Sequence, residues 1–185
     1  MAMHPEGAQL ESAATVARPV RRERTIAAAG LLLGLGLGGF VDGIVLHQIL
    51  QWHHMLTDYG DHATFPATSV SSLQDNTLWD GLFHAATWVF VVAGLYLFRR
   101  ATARGERTTV GGLTGLMLAG WGLFNLVEGL VNHHLLGIHH VRDDVAEPRP
   151  WDLGFLALGA VLLVGGWLLY RARPGTTRLH GEVGD

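Results

Sequence analysis

Two octets of the chain, HQILQWHH at 47–54 and HHLLGIHH at 133–140, each follow an apolar run and each close on a histidine pair. Imidazole and carboxylate are the ligand types that suit zinc, copper, iron and manganese. Carboxylates accompany both octets, with Asp42 ahead of His47 and Glu128 ahead of His133. His47, His84 and His133 lead the metal-ligand candidates, followed by Asp80, His54, His134 and His140. Asp80 and His84 form an i, i+4 pair on one helix face. His47 and His54 share a face with Gln51 between them, and His133 and His140 repeat that spacing. His53, His139, Gln51 and Asp152 complete the candidates.

Asp42 and His47 are five residues apart, about 140° around an ideal α-helix. They cannot share a stripe without distortion, so Asp42 and Glu128 are expected a turn deeper, as intramembrane carboxylates behind the ligands. Ionisable groups inside a membrane span cost roughly 2.5–3.5 kcal/mol each and usually mark function. The expected cofactor is a transition metal ion (copper, iron or zinc) held near the exterior face, for metal handling or metal-dependent redox chemistry. One alternative is a b-type cytochrome with His47 and His133 as axial haem ligands. The other is proton or cation translocation through Asp42 and Glu128. Whether the chain is an enzyme stays open. The chain has no Cys, which removes thiolate metal sites and iron–sulfur clusters. With four Met, two of them in the first three residues, it offers no methionine-rich Cu(I) conduit.

These residues need elements to hold them. The chain has 185 residues, of which 49% are hydrophobic and only 16% charged, with the apolar residues in blocks. That pattern points to a membrane protein. Four stretches reach the roughly 20 apolar residues that a crossing helix needs, at about 26–50, 79–98, 110–134 and 152–170. Residues 1–24 form an expected disordered cytoplasmic tail, 25–171 a four-helix transmembrane domain and 172–185 a second cytoplasmic tail. The first apolar run is too long for a signal-peptide core and reads as a retained span.

All 13 basic residues are Arg, and 11 lie in the N-terminal tail, the 99–109 loop and the stretch from Arg171 onward. The positive-inside bias places both termini in the cytoplasm and the histidine-rich ends outside. A net charge of −3 gives no reason to expect nucleic acid. The expected partners are the lipid bilayer and either a second copy of the chain or a respiratory or metal-handling membrane protein. His4 and His180 fall in the tails with no expected role, and His62 in a loop is left unassigned.

The chain also resembles itself. VDGIVLHQIL at 41–50 aligns with VEGLVNHHLL at 127–136 at an offset of 86, matching Asp42 to Glu128, His47 to His133, and His53 and His54 to His139 and His140. LWDGLFH at 78–84 aligns with PWDLGFL at 150–156 at an offset of 72, matching Asp80 to Asp152. His84 meets Leu156 and Gln48 meets His134, which are departures. The expected fold is therefore an all-α, integral-membrane four-helix bundle of two tandem helical hairpins, related by a pseudo-two-fold axis along the membrane normal. Gly30, Gly34 and Gly38 give the first span a small-residue ridge for close helix packing.

FVDGIVLHQILQWHHM, DGLFH and EGLVNHHLLGIHHVR look like the signature segments of an uncharacterised bacterial family of small four-span membrane proteins, a domain of unknown function. The resemblance covers roughly residues 26–170. It implies this fold and a bacterial inner-membrane location, and it implies no activity.

Overall fold

A computed structural model of the protein describes residues 23–59 and 69–172. The expected tails, up to residue 22 and from residue 173, lie outside the described residues, as do His4, His62 and His180. Helix α1 spans Glu23–Val41 and runs directly into a π-helical segment, π1, at Asp42–Ile49. Helix α2 spans Val70–Ala103, α3 spans Val110–Glu128 and continues as π2 at Gly129–Leu136, and α4 spans Arg149–Arg171. Four helices are long and apolar enough to cross a membrane, and the described residues contain no strand.

Local chemistry fixes the helix ends. Ser69 caps α2 by accepting from the Ser72 amide at 3.1 Å, and Thr109 caps α3 by accepting from the Gly112 amide at 2.9 Å. Because of its cap, α2 starts well before the apolar span expected at about 79. Glu106, from the loop between α2 and α3, accepts from the Ile26 amide in the first turn of α1 at 3.0 Å. That bond satisfies one of the free amides that every helix start leaves.

Helices α1 and α3 form the centre, while α2 packs on α1 and α4 packs on α3. The apolar windows of α1 and α3 are 50% and 44% buried, against 11% each for α2 and α4, whose outer faces carry the exposed Leu, Val, Phe and Trp side chains. Those faces suit lipid. The central crossing brings backbone against backbone. A Cβ on Gly34 would lie 2.9 Å from Gly120 Cα and closer still to the Met117 carbonyl, so only glycine fits there.

Contacts recur at the two sequence offsets. Gly34 meets its counterpart Gly120; Gly36 lies against Thr87 and Val91 of α2, and Gly122 against Gly159 and Leu163 of α4. The backbone turns left-handed just past each π segment, at Gln51 with φ 50° and at Gly137 with φ 57°. The chain then folds back over the helix ends. The loops from 50 to 59 and from 137 to 148 cross and exchange backbone bonds, Asp58 N to Ile138 O and Asp143 N to Trp52 O, both 2.9 Å. Over them, Trp52 and Trp151 meet edge to face at 5.1 Å, with the Arg142 guanidinium 5.0 and 4.9 Å from the two rings.

Candidate metal centre

The π segments change the geometry that an α-helix would impose. A π-helix bonds residue i to i+5, as Leu50 N does to Val45 O at 2.8 Å, and so stacks residues five apart on one stripe. Asp42 Oδ2 therefore lies 3.2 Å from His47 Nε2, and Glu128 Oε1 lies 3.1 Å from His133 Nε2. The expectation of carboxylates set a turn away from their histidines rests on α-helical winding, and the winding here is not α-helical. Gly43 makes room beside Asp42, since a Cβ there would come within 2.6 Å of His84 Nε2.

The first histidine of each closing pair turns inward. His53 stacks on His139 with ring centres 4.7 Å apart. His53 also meets His47 at 4.3 Å, and His139 meets His133 at 5.0 Å. The result is two adjoining groups, Asp42–His47–His53 and Glu128–His133–His139. Within each group the potential ligand atoms lie within 4.8 Å of one another, and all six residues are buried.

What holds these rings fixes which nitrogen faces inward. His53 Nδ1 sits 2.9 Å from the Val141 carbonyl, and His139 Nδ1 sits 3.2 Å from the Met55 carbonyl. A carbonyl only accepts, so each Nδ1 carries a proton. His47 Nδ1 points to Asp80 at 2.9 Å and His133 Nδ1 to Asp152 at 3.5 Å. All four rings thus present Nε2 to the middle of the cluster. Three of them, His47, His133 and His139, lie between two acceptors. Such a ring satisfies both neighbours only with two protons, or with a metal in place of one of them.

Several inner atoms stay unsatisfied. Asp42 Oδ2, His47 Nε2, His53 Nε2, Glu128 Oε2 and both ring nitrogens of His133 are buried without a hydrogen-bond partner among the described residues, despite the short separations. Buried polar atoms are ordinarily paired, and each orphan costs about 1–3 kcal/mol. Lone pairs aimed at a shared space are what a metal ion requires. The loop histidines have distinct electrostatics. Burial, with His139 and His47 nearby, holds His53 well below the usual imidazole range, so it is neutral. Burial would also lower His139, but its hydrogen bond to Glu128 and the Glu128 charge raise it overall.

The remaining candidates surround this cluster. Asp80 is a four-way acceptor, taking His47 Nδ1, His54 Nδ1 at 2.7 Å, Met55 N at 3.0 Å and Gln48 Nε2 at 3.0 Å. Asp152 serves the other half with two bonds, taking His140 Nδ1 at 2.7 Å and Val141 N at 2.9 Å. Met55 and Val141 are also the residues whose carbonyls hold His139 and His53, so each outer carboxylate steadies the opposite inner ring. His54 and His140 bind these outer carboxylates rather than the cluster. His84 Nδ1 bonds the Asp80 carbonyl on its own helix at 2.7 Å, and His134 Nδ1 bonds the Gly129 carbonyl at 2.9 Å. Gln51 is exposed. The carboxylate–His spacing of five, Asp42 to His47 and Glu128 to His133, is the sequence signal for the π segments. Nothing in the sequence marks the roles of the Met55 and Val141 carbonyls.

No curated protein and no solved structure matches the chain. Residues 29–173, which carry every residue of the cluster, match the family model described as a predicted membrane protein, and the chain belongs to that family, DUF2243.

Proposed function

We propose that the protein is a membrane metalloprotein that holds two first-row transition metal ions side by side, one on Asp42, His47 and His53 and the other on Glu128, His133 and His139. One observation carries this reading: four imidazoles converge through Nε2, while Nδ1 of His47, His53 and His139 is held from behind by a carboxylate or a carbonyl and that of His133 faces Asp152 at 3.5 Å. That outer partner is the usual companion of a metal-bound histidine, because it fixes the tautomer and raises ligand basicity. Two histidines and one carboxylate leave coordination positions open, as in non-haem iron and catalytic zinc sites. A donor set without sulfur suits iron or zinc better than Cu(I). Open positions favour metal-dependent redox chemistry or metal handling over a purely structural ion.

The arginine distribution supports placing the cluster at the exterior face of a bacterial inner membrane, with both termini inside. The matched contacts at offsets of 86 and 72 support a duplicated hairpin with a pseudo-two-fold axis through the Gly34–Gly120 crossing. The haem alternative fits less well, because the His53 and His139 rings touch both His47 and His133 and fill the space a porphyrin would need between them. Elemental analysis and a visible spectrum of the purified protein test the proposal. Two metal ions per chain with no Soret band are expected, and a His47→Ala/His133→Ala pair should lose metal while His134→Ala keeps it. Protein that binds no metal on reconstitution, or a double variant with full occupancy, overturns the assignment.

A further inference from the structure

A cavity of about 390 Å³ lies between π1, α3 and α4. Its wall is almost wholly apolar, built by Val41, Trp121, Trp151, Phe155 and Leu158. Asp42 Oδ2 and Asn125 Oδ1, at its edge, are shielded and offer a ligand nothing. Hydrocarbon is the chemistry that such a wall accepts. Val41, Trp151 and Leu158 are 42%, 40% and 48% exposed, so the cavity opens on the surface that the spanning helices turn to lipid.

The other half of the chain has no such space. At the offset of 86 Gly38 in the cavity wall corresponds to Phe124, and at 72 Gly154 corresponds to Leu82. Phe124 is buried, with its ring 6.0 Å from that of Phe83, the counterpart of Phe155. One groove is thus filled by the protein's own phenyl ring, where the other has two glycines. Trp121 lies over Gly38, and the cavity remains beside it. A Cβ on Gly154 would meet nothing within 4 Å, so no packing contact requires glycine there.

Length and charge point to the occupant. From Pro150 to Leu158 the cavity follows α4 for about 12 Å at 1.5 Å per residue, close to half of a hydrocarbon core roughly 30 Å thick. Its outer end lies at Trp52 and Trp151, an aromatic pair of the kind that marks a membrane interface. Just beyond, Glu147 and Arg149 are exposed and in no ion pair among the described residues, whereas Arg142 is taken up by Asp144 at 2.6 Å. A free anion and a free cation at that level match the ammonium and the phosphate of a zwitterionic headgroup.

We propose that this groove binds one zwitterionic phospholipid from the leaflet on the cluster's side, with an acyl chain in the cavity, its phosphate on Arg149 and its ammonium toward Glu147. The apolar wall selects the chain, the one-leaflet length selects a bilayer lipid, and the charge pair at the top selects the headgroup.

The test is titration of delipidated full-length protein in detergent with phosphatidylethanolamine, phosphatidylglycerol and diacylglycerol of the same chains, read by native mass spectrometry. One saturable phosphatidylethanolamine per chain is expected. Diacylglycerol should bind about fivefold more weakly for want of the phosphate, the worth of one arginine near an anionic group. Phosphatidylglycerol, which lacks the ammonium, should also bind more weakly. Arg149→Gln, an exposed change, should bring phosphatidylethanolamine down to the diacylglycerol level. Gly154→Trp should weaken every lipid roughly tenfold, the worth of displacing about two methylenes of the chain. Diacylglycerol or phosphatidylglycerol binding as tightly as phosphatidylethanolamine overturns the proposal, as does an unchanged Kd in Gly154→Trp. A dimer that binds no lipid overturns it too, and makes the groove a contact between copies. None of these outcomes depends on metal content, so the lipid site and the metal centre stand or fall separately.

Discussion

Asp80→Asn probes the link between the outer carboxylates and the cluster. Four donors converge on the two Asp80 oxygens: His47 Nδ1 and Met55 N on Oδ1, Gln48 Nε2 and His54 Nδ1 on Oδ2. Asparagine keeps one acceptor oxygen and turns the other position into a donor, so one pair loses its partner. The Gln48–His54 pair loses less. Gln48 is exposed and can turn to solvent, and the His54 side chain, 17% exposed, can move its proton to Nε2 and accept instead. The amide should therefore keep its oxygen on His47 and Met55. Those two bonds lose their charge assistance, roughly 1 kcal/mol each from the difference between charged and neutral hydrogen bonds. Metal-free stability should thus fall by about 2 kcal/mol. His47, now backed by a neutral amide, becomes a weaker base, and losses of outer partners typically cost 10–100-fold in metal affinity, or about 1.4–2.7 kcal/mol.

Chelator competition on the detergent-solubilised protein, with thermal unfolding of the metal-free form alongside, gives both numbers. One of two ions should weaken while the other holds. Asp152→Asn should weaken the other ion less, because its His133 contact is 3.5 Å against 2.9 Å for Asp80 and His47. If Asp80→Asn binds both ions with wild-type affinity while its stability drops as worked out, Asp80 is a strut of the loop and the tautomer argument fails.

Two further outcomes follow from the loops. Gly137 sits at φ 57°, and a Cβ added there would meet nothing within 4 Å, so Gly137→Ala isolates backbone strain and should cost about 1–2 kcal/mol in chemical unfolding. Gln51→Gly, at φ 50°, should move stability the other way by roughly 0.5–1 kcal/mol, and the same sign for both variants would refute the pairing of these positions. Asp143 is pushed up to about 6 by burial and by the nearby Asp58 charge. Its folded form holds a proton that its unfolded form, at 3.8, has lost, so between about pH 4 and 6 the metal-free protein should lose stability as pH rises. Asp143→Asn retains an acceptor for the His140 amide and should flatten that slope; an unchanged slope would place its origin elsewhere.

The four spans were legible in the sequence because crossing a bilayer demands long apolar runs, and hydropathy along the chain is a local property. The paired octets and the offsets of 86 and 72 were legible too, since they are comparisons between residue types. Histidine roles were not. An α-helical projection groups His47 with His54 and sets Asp42 aside, whereas the π winding puts Asp42 against His47 and sends His54 to Asp80. Helix winding depends on packing around Gly43 and on the loop that follows, both outside the reach of local periodicity. The choice between the members of each HH pair was likewise a tertiary matter. His53 and His139 turn inward because the carbonyls of Val141 and Met55, 88 and 84 residues away, receive their Nδ1 protons. Residue types supplied the imidazoles and carboxylates that could hold a metal, and the crossing of two loops over the Gly34–Gly120 contact decided which of them face one another.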